Sequence, residues 1–228
     1  MPDRPSGGER RPPESRARIP LRVALALTLV AGGVGWCTDR IAVHAGWTFP
    51  SFGYLIGEVV WKLASLGVLL WALRRYERAP LQLATIGLGP DEAPTETFPT
   101  GPFFLVLAVA LVLAATVGTP ATRASAYSPA RHAGLGLAVT ELVIRYPLTV
   151  FSEEALFRGW LQPRLGRYGP ILSALLWAIY HLQQASTIPS LVVFGLLLGG
   201  LRWLNGNVRL TSVIHYVSNA VFFITTYL

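Results

Sequence analysis

The sequence predicts an all-α, polytopic transmembrane bundle of about seven or eight helices, on three observations. Only 14% of its 228 residues are charged and 52% are hydrophobic, where a soluble domain carries about 25% charged residues. The apolar residues gather into runs of roughly spanning length, which a soluble core does not need. Nothing in the pattern suggests strands, and no internal repeat is visible. The length fits one bundle and leaves no room for a second sizeable domain.

Residues 1–20 are rich in proline, arginine, glycine and glutamate and read as a disordered basic tail. Residues 21–228 form the membrane-embedded domain. The run Leu21–Cys37 follows a basic start, as a signal peptide does, but has no convincing small-residue cleavage site and is followed by further spans. An uncleaved first helix is expected. Cys37 is the only cysteine, so an internal disulfide and a cysteine metal cluster are both excluded. In an apolar run it is expected as a small packed residue.

The second span, about Phe52 to Leu73, carries Glu58 and Lys62 four residues apart, read as a structural ion pair facing the bundle. Arg74, Arg75 and Arg78 close it. Residues 79–100 are proline-studded, with Asp91, Glu92 and Glu96, and read as a loop. Gly101–Gly118 is a third span, and Thr119–His132 a short polar connection with Pro120 and Pro129. From about Ala133 the chain is apolar again. Glu141 and Arg145, four apart, are expected to form a buried pair there, and Pro147 is expected to kink or end the helix. Arg164, Gly166, Arg167 and Gly169-Pro170 mark a turn. Ile171–Ala185, Pro189–Leu204 and Leu210–Leu228 complete the chain. Gly32-Gly33 and Gly199-Gly200 read as helix-packing glycines and not as a phosphate loop.

The arginines orient the bundle. With the N-terminus in the cytoplasm and sides alternating, fourteen fall inside: Arg4, Arg10, Arg11, Arg16, Arg18, Arg22, Arg74, Arg75, Arg78, Arg158, Arg164, Arg167, Arg202 and Arg209. Three (Arg40, Arg123 and Arg131) fall outside. That bias predicts a multi-pass protein of the cell membrane with a cytoplasmic N-terminus. The net charge of +7 is therefore explained by membrane orientation, and nucleic acid is not an expected partner.

Within this apolar chain, Ser152-Glu153-Glu154-Ala155-Leu156-Phe157-Arg158-Gly159 stands out. Ionisable groups at bilayer depth are costly and usually face a cavity or one another. Glu154 and Arg158 are four apart and can pair, whereas Glu153 lies about 100° round the helix and is left for another role. A plainer alternative is an interfacial helix whose charges snorkel to the headgroups. Two histidines shift the balance. His181 follows Trp177 by one turn, and His215 precedes Asn219 by one turn. Such groups buried together in one bundle imply a shared polar cavity, because each alone would be unsatisfied. A carboxylate beside an imidazole can take a proton from water, and a second imidazole with an amide can meet an oxyanion. Glu153, His181 and His215 are also candidate zinc ligands. No His-Glu-x-x-His run is present, and no serine or cysteine is spaced for a covalent nucleophile.

These residues resemble the CPBP intramembrane proteases, the Abi family that includes the CAAX prenyl proteases of the Rce1 type. Its motifs are Glu-Glu-x-x-x-Arg, Phe-x-x-x-His and His-x-x-x-Asn or Asp. Glu153, Glu154 and Arg158 match the first, with the Phe157-Arg158-Gly159 continuation. His181 matches the second, with Trp177 where phenylalanine is usual. His215 and Asn219 match the third. The resemblance covers roughly residues 135–228. It implies a peptidase in which Glu153 and His181 activate water, His215 and Asn219 bind the oxyanion, and Glu154, Arg158 and Trp177 hold the site. It leaves zinc or no cofactor open, with Asn219 a better amide donor than zinc ligand. The implied partner is a peptide or protein substrate at the bilayer, membrane-associated or lipid-modified. The competing reading is a non-catalytic membrane scaffold in maturation or immunity, or a small transporter using Glu153 as carrier. Internal symmetry between halves would favour the transporter and is not seen.

Overall fold

The computed structural model describes residues 18–77, 84–89, 96–117 and 133–228. Most of the basic tail, Arg78, Asp91, Glu92, Arg123, Arg131 and the Thr119–His132 connection lie outside the described residues. The described chain is helical throughout, without a strand, as the composition predicts: α1 (Leu21–His44), α2 (Phe52–Glu77), α3 (Thr100–Val117), α4 (Leu135–Arg164), α5 (Gly169–Tyr180), α6 (Ile188–Asn205) and α7 (Arg209–Tyr227). Four stretches are long and apolar enough to cross a membrane: α1, α2, α4 and Leu182–Asn205, which includes α6. The chain is an integral membrane protein.

Each helix buries one stripe. Along α1 the buried residues are Ala24, Leu27, Thr28, Ala31, Gly32, Gly35, Asp39 and Ala42, the three-and-four spacing of a single face. On α2 the stripe runs through Tyr54, Glu58, Trp61, Lys62, Ser65 and Leu69, so its polar residues are aimed inward. The opposite faces expose large apolar side chains such as Val30, Ile41, Ile56 and Leu63, as a lipid solvent permits. Cys37 lies on this outer face and is exposed, contrary to the packed position expected for it. It falls off the inward stripe of α1, beside the exposed Trp36.

Without a hydrophobic drive between helices, close approach rests on small residues. α1 packs on α2 and α5, α5 lies along α6, and α3 covers α6. A Cβ added at Gly32 would stand 2.8 Å from the Tyr180 carbonyl oxygen, and one at Gly199 2.8 Å from that of Pro170. Gly159 is as tightly held, against the backbone of Ile86 in the 84–89 turn. That turn is anchored in its own right: Val208 donates its N–H to the Gly87 carbonyl at 3.0 Å.

α4 differs from expectation. Pro147 neither ends nor breaks it; the helix is continuous from Leu135 to Arg164. A wide π turn at Glu141–Arg145 precedes the proline, so Pro147 falls in the first turn of the next α-helical stretch. There its missing N–H costs nothing. A second wide turn spans Glu154–Leu161 and carries the motif.

The segment expected as tail is also partly structured. Ile19 is buried and donates its N–H to the Arg164 carbonyl at 3.3 Å, and Arg18 pairs with Glu96. Of the arginines assigned to the inner membrane face, Arg158, Arg164 and Arg202 are in fact buried. Arg158 pairs with Glu154 and Arg164 with Glu77.

Candidate active site

α4 supplies both glutamates where its α-helical stretch passes into the second wide turn, and the two point to different partners. Glu153 is completely buried. Its Oε1 accepts from the Lys62 ammonium at 2.8 Å and its Oε2 from the Trp177 indole N–H at 2.6 Å. Each carboxylate oxygen keeps a second lone pair. Across those faces stand the two imidazoles, His181 Nε2 at 3.8 Å from Oε1 and His215 Nε2 at 3.8 Å from Oε2. That spacing is too long for a direct hydrogen bond and leaves each pair able to share a third polar atom.

The remaining ring nitrogens fix the imidazoles. His181, at the end of α5, has Nδ1 2.8 Å from the Trp177 carbonyl oxygen. A carbonyl only accepts, so Nδ1 carries the proton and a neutral ring presents Nε2 as an acceptor. His215 on α7 has Nδ1 2.9 Å from Glu154 Oε1. Asn219, one turn along α7, lines the same cavity. Glu154 thus does more than pair with Arg158, which lies 3.7 Å away at Nη1. Its closer contact orients a histidine of the site. Arg158 is fully buried and lies over the Trp177 ring at 4.7 Å. Trp177 also meets His181 and His215 edge-on, with ring centres at 4.8 Å and 5.7 Å. A phenylalanine there could pack similarly but could not donate to Glu153.

The expected Glu58–Lys62 pair is not formed. Helices α2 and α4 run in the same direction, and α4 offers each charge a better partner. Lys62 takes Glu153, while Glu58 Oε2 meets Arg145 Nη1 at 3.4 Å. Arg145 also pairs with Glu141, as their spacing predicts. Sequence reasoning therefore missed Lys62 as a neighbour of the site. The available signal was that it is the chain's only lysine, set in the middle of an apolar span.

Glu153, Trp177, His181, His215 and Asn219 line one cavity of about 1020 Å³, together with Glu58, Lys62 and Arg145. It reaches from Glu153 past Glu58 and Arg145 to Arg40 and Tyr227, at the end of the bundle where α1 and α7 stop. The basic Arg22, Arg74, Arg75 and Arg167 lie at the other end.

Among the described residues no group of three histidine, cysteine or acidic side chains is disposed to hold a metal ion. An ion bound at Glu153 would sit against the ammonium already 2.8 Å from its Oε1, and like charges at that range repel strongly in a dry site.

Residues 135–221 match the family model described as Type II CAAX prenyl endopeptidase, Rce1-like. Over this region the chain is similar to the Rce1-like CAAX protease family. The matched region holds Glu153, Glu154, Arg158, Trp177, His181, His215 and Asn219; Lys62, on α2, lies outside it. No curated protein and no solved structure gives a significant match to the chain.

The buried charges set one expectation. Arg158→Ala leaves Glu154 without its guanidinium in a fully buried position, a change that costs about 3–5 kcal/mol when one partner of a buried pair is removed. The variant should give low yield or a clearly lowered melting temperature in detergent. An unchanged melting temperature would show that the pair does not hold the site.

Proposed function

We propose that the protein is an intramembrane endopeptidase that hydrolyses a peptide bond of a membrane-associated or lipid-modified protein. The observation that carries this reading is a single carboxylate, Glu153, with an imidazole Nε2 at 3.8 Å from each of its oxygens, inside a cavity large enough for an extended peptide.

Glu153, with His181 beside it, takes a proton from water as that water attacks the scissile carbonyl. The developing oxyanion is met by the Asn219 amide and by His215, which donates through Nε2 when doubly protonated. Collapse of the tetrahedral intermediate returns the proton to the leaving amine. Glu154 holds His215 through Nδ1, and Trp177 and Lys62 hold Glu153. The N-inside orientation expected from the arginines puts the Arg40–Tyr227 end of the cavity on the non-cytoplasmic side.

Glu153→Gln leaves the buried Lys62 ammonium without its anion, so turnover is compared per folded molecule; it should fall about 10²–10⁴-fold, the usual worth of a general base. Quantitative membrane proteomics of cells carrying wild type or Glu153→Gln should then reveal uncut precursors in the variant alone. Identical proteomes would favour a scaffold without catalysis. Reporter fusions after residues 45 and 85 should report outside and inside respectively; the reverse at both positions would overturn the orientation.

A further inference from the structure

Lys62 is 1% exposed and comes from α2, outside the region that carries the family match. Its Nζ contacts Glu153 Oε1 at 2.8 Å and the Tyr180 hydroxyl at 3.3 Å, and it lies 3.1 Å from the centre of the Trp61 ring. Tyr180 is fixed in turn by Ser65, whose Oγ is 2.8 Å from its hydroxyl. An ammonium has three donors and is costly to bury without an anion. Two donors are accounted for by Glu153 and Tyr180, and the indole face covers the cation.

We infer that Lys62 is a positioning residue for hydrolysis, holding the Glu153 carboxylate charged and turned so that its free lone pairs face His181 and His215. The inference rests on the peptidase reading above. Three features support a positioning role over a merely structural one. Lys62 contacts the same carboxylate oxygen that faces His181. It borders the reaction cavity itself. The nearer candidate on its own helix, Glu58, is engaged by Arg145 instead. With the Trp177 indole on the other oxygen, Lys62 stops rotation of the carboxylate about its last side-chain bond. A carboxylate free to turn would present the wrong lone pair to the attacking water, and misplacement on the scale of an ångström lowers rates by about 10²-fold.

The test uses the full-length protein in detergent, with an internally quenched peptide ending in a farnesylated Cys-aliphatic-aliphatic-X sequence as probe. Lys62→Met should lower kcat by about 10–100-fold with KM little changed, and Lys62→Arg, which keeps the charge, should recover part of that loss. Because Lys62 is the only lysine, ¹⁵Nζ-lysine labelling gives one side-chain resonance. That resonance should move in Glu153→Gln and stay in place in Glu96→Gln, and this arm holds even where Lys62→Met folds poorly. If wild type cleaves the probe and Lys62→Met has the same kcat, the inference is overturned and the peptidase reading stands. An unmoved ¹⁵Nζ resonance in Glu153→Gln overturns it as well. If neither wild type nor any variant cleaves the probe, the peptidase reading fails for this substrate class, and the positioning role fails with it.

Discussion

Everything at the centre of this bundle depends on keeping one carboxylate paired and fixed in the bundle interior. Glu153 is completely enclosed, and a lone buried carboxylate would be strongly destabilising. The chain solves this by surrounding it with helices of different origin: an ammonium from α2, an indole and an imidazole from the α5 end, and a second imidazole from α7. The same contacts that make burial tolerable also join the helices. Charge balance extends one step further, because Glu154 beside it is matched by Arg158. Two carboxylates thus face one ammonium and one guanidinium in the bundle interior.

Much of this was legible in the sequence. The apolar runs and the turn residues between them define most of the helices to within a few positions, although α1 runs on past Cys37 to His44. The motif residues announced themselves as polar and ionisable groups, with an accompanying tryptophan, in apolar surroundings. Four of them, Glu153, Trp177, His181 and His215, are in mutual reach in the structure, and Asn219 borders their cavity. Their chemical roles are an inference from that geometry and from the family.

What sequence reasoning could not supply was the choice of partner between helices. Spacing of i, i+4 shows which charges can meet on one helix, and it found Glu141–Arg145 and Glu154–Arg158. It assigned Glu58 to Lys62 for the same reason and was wrong. The facing stripe of α4 presents Arg145 and Glu153 at matching heights, 87 and 91 positions away in the chain. Pro147 was expected to kink or end the helix, and it does not end it. A proline rule written for regular helices does not foresee that a wide turn just before it will reset the hydrogen-bond register. Cys37 shows the same limit, since residue type alone does not reveal which side of α1 meets lipid.

The Lys62–Glu153 contact carries the central claim, and a double-mutant cycle in thermal unfolding tests it most directly. Lys62→Met and Glu153→Gln each leave a buried group without its partner, whereas the double variant removes both members together. The account predicts that the double variant is more stable than the sum of the single losses implies, by at least about 1 kcal/mol of coupling, within the range found for residues in contact. Strict additivity would contradict it, because two side chains whose effects add independently are not holding each other in place.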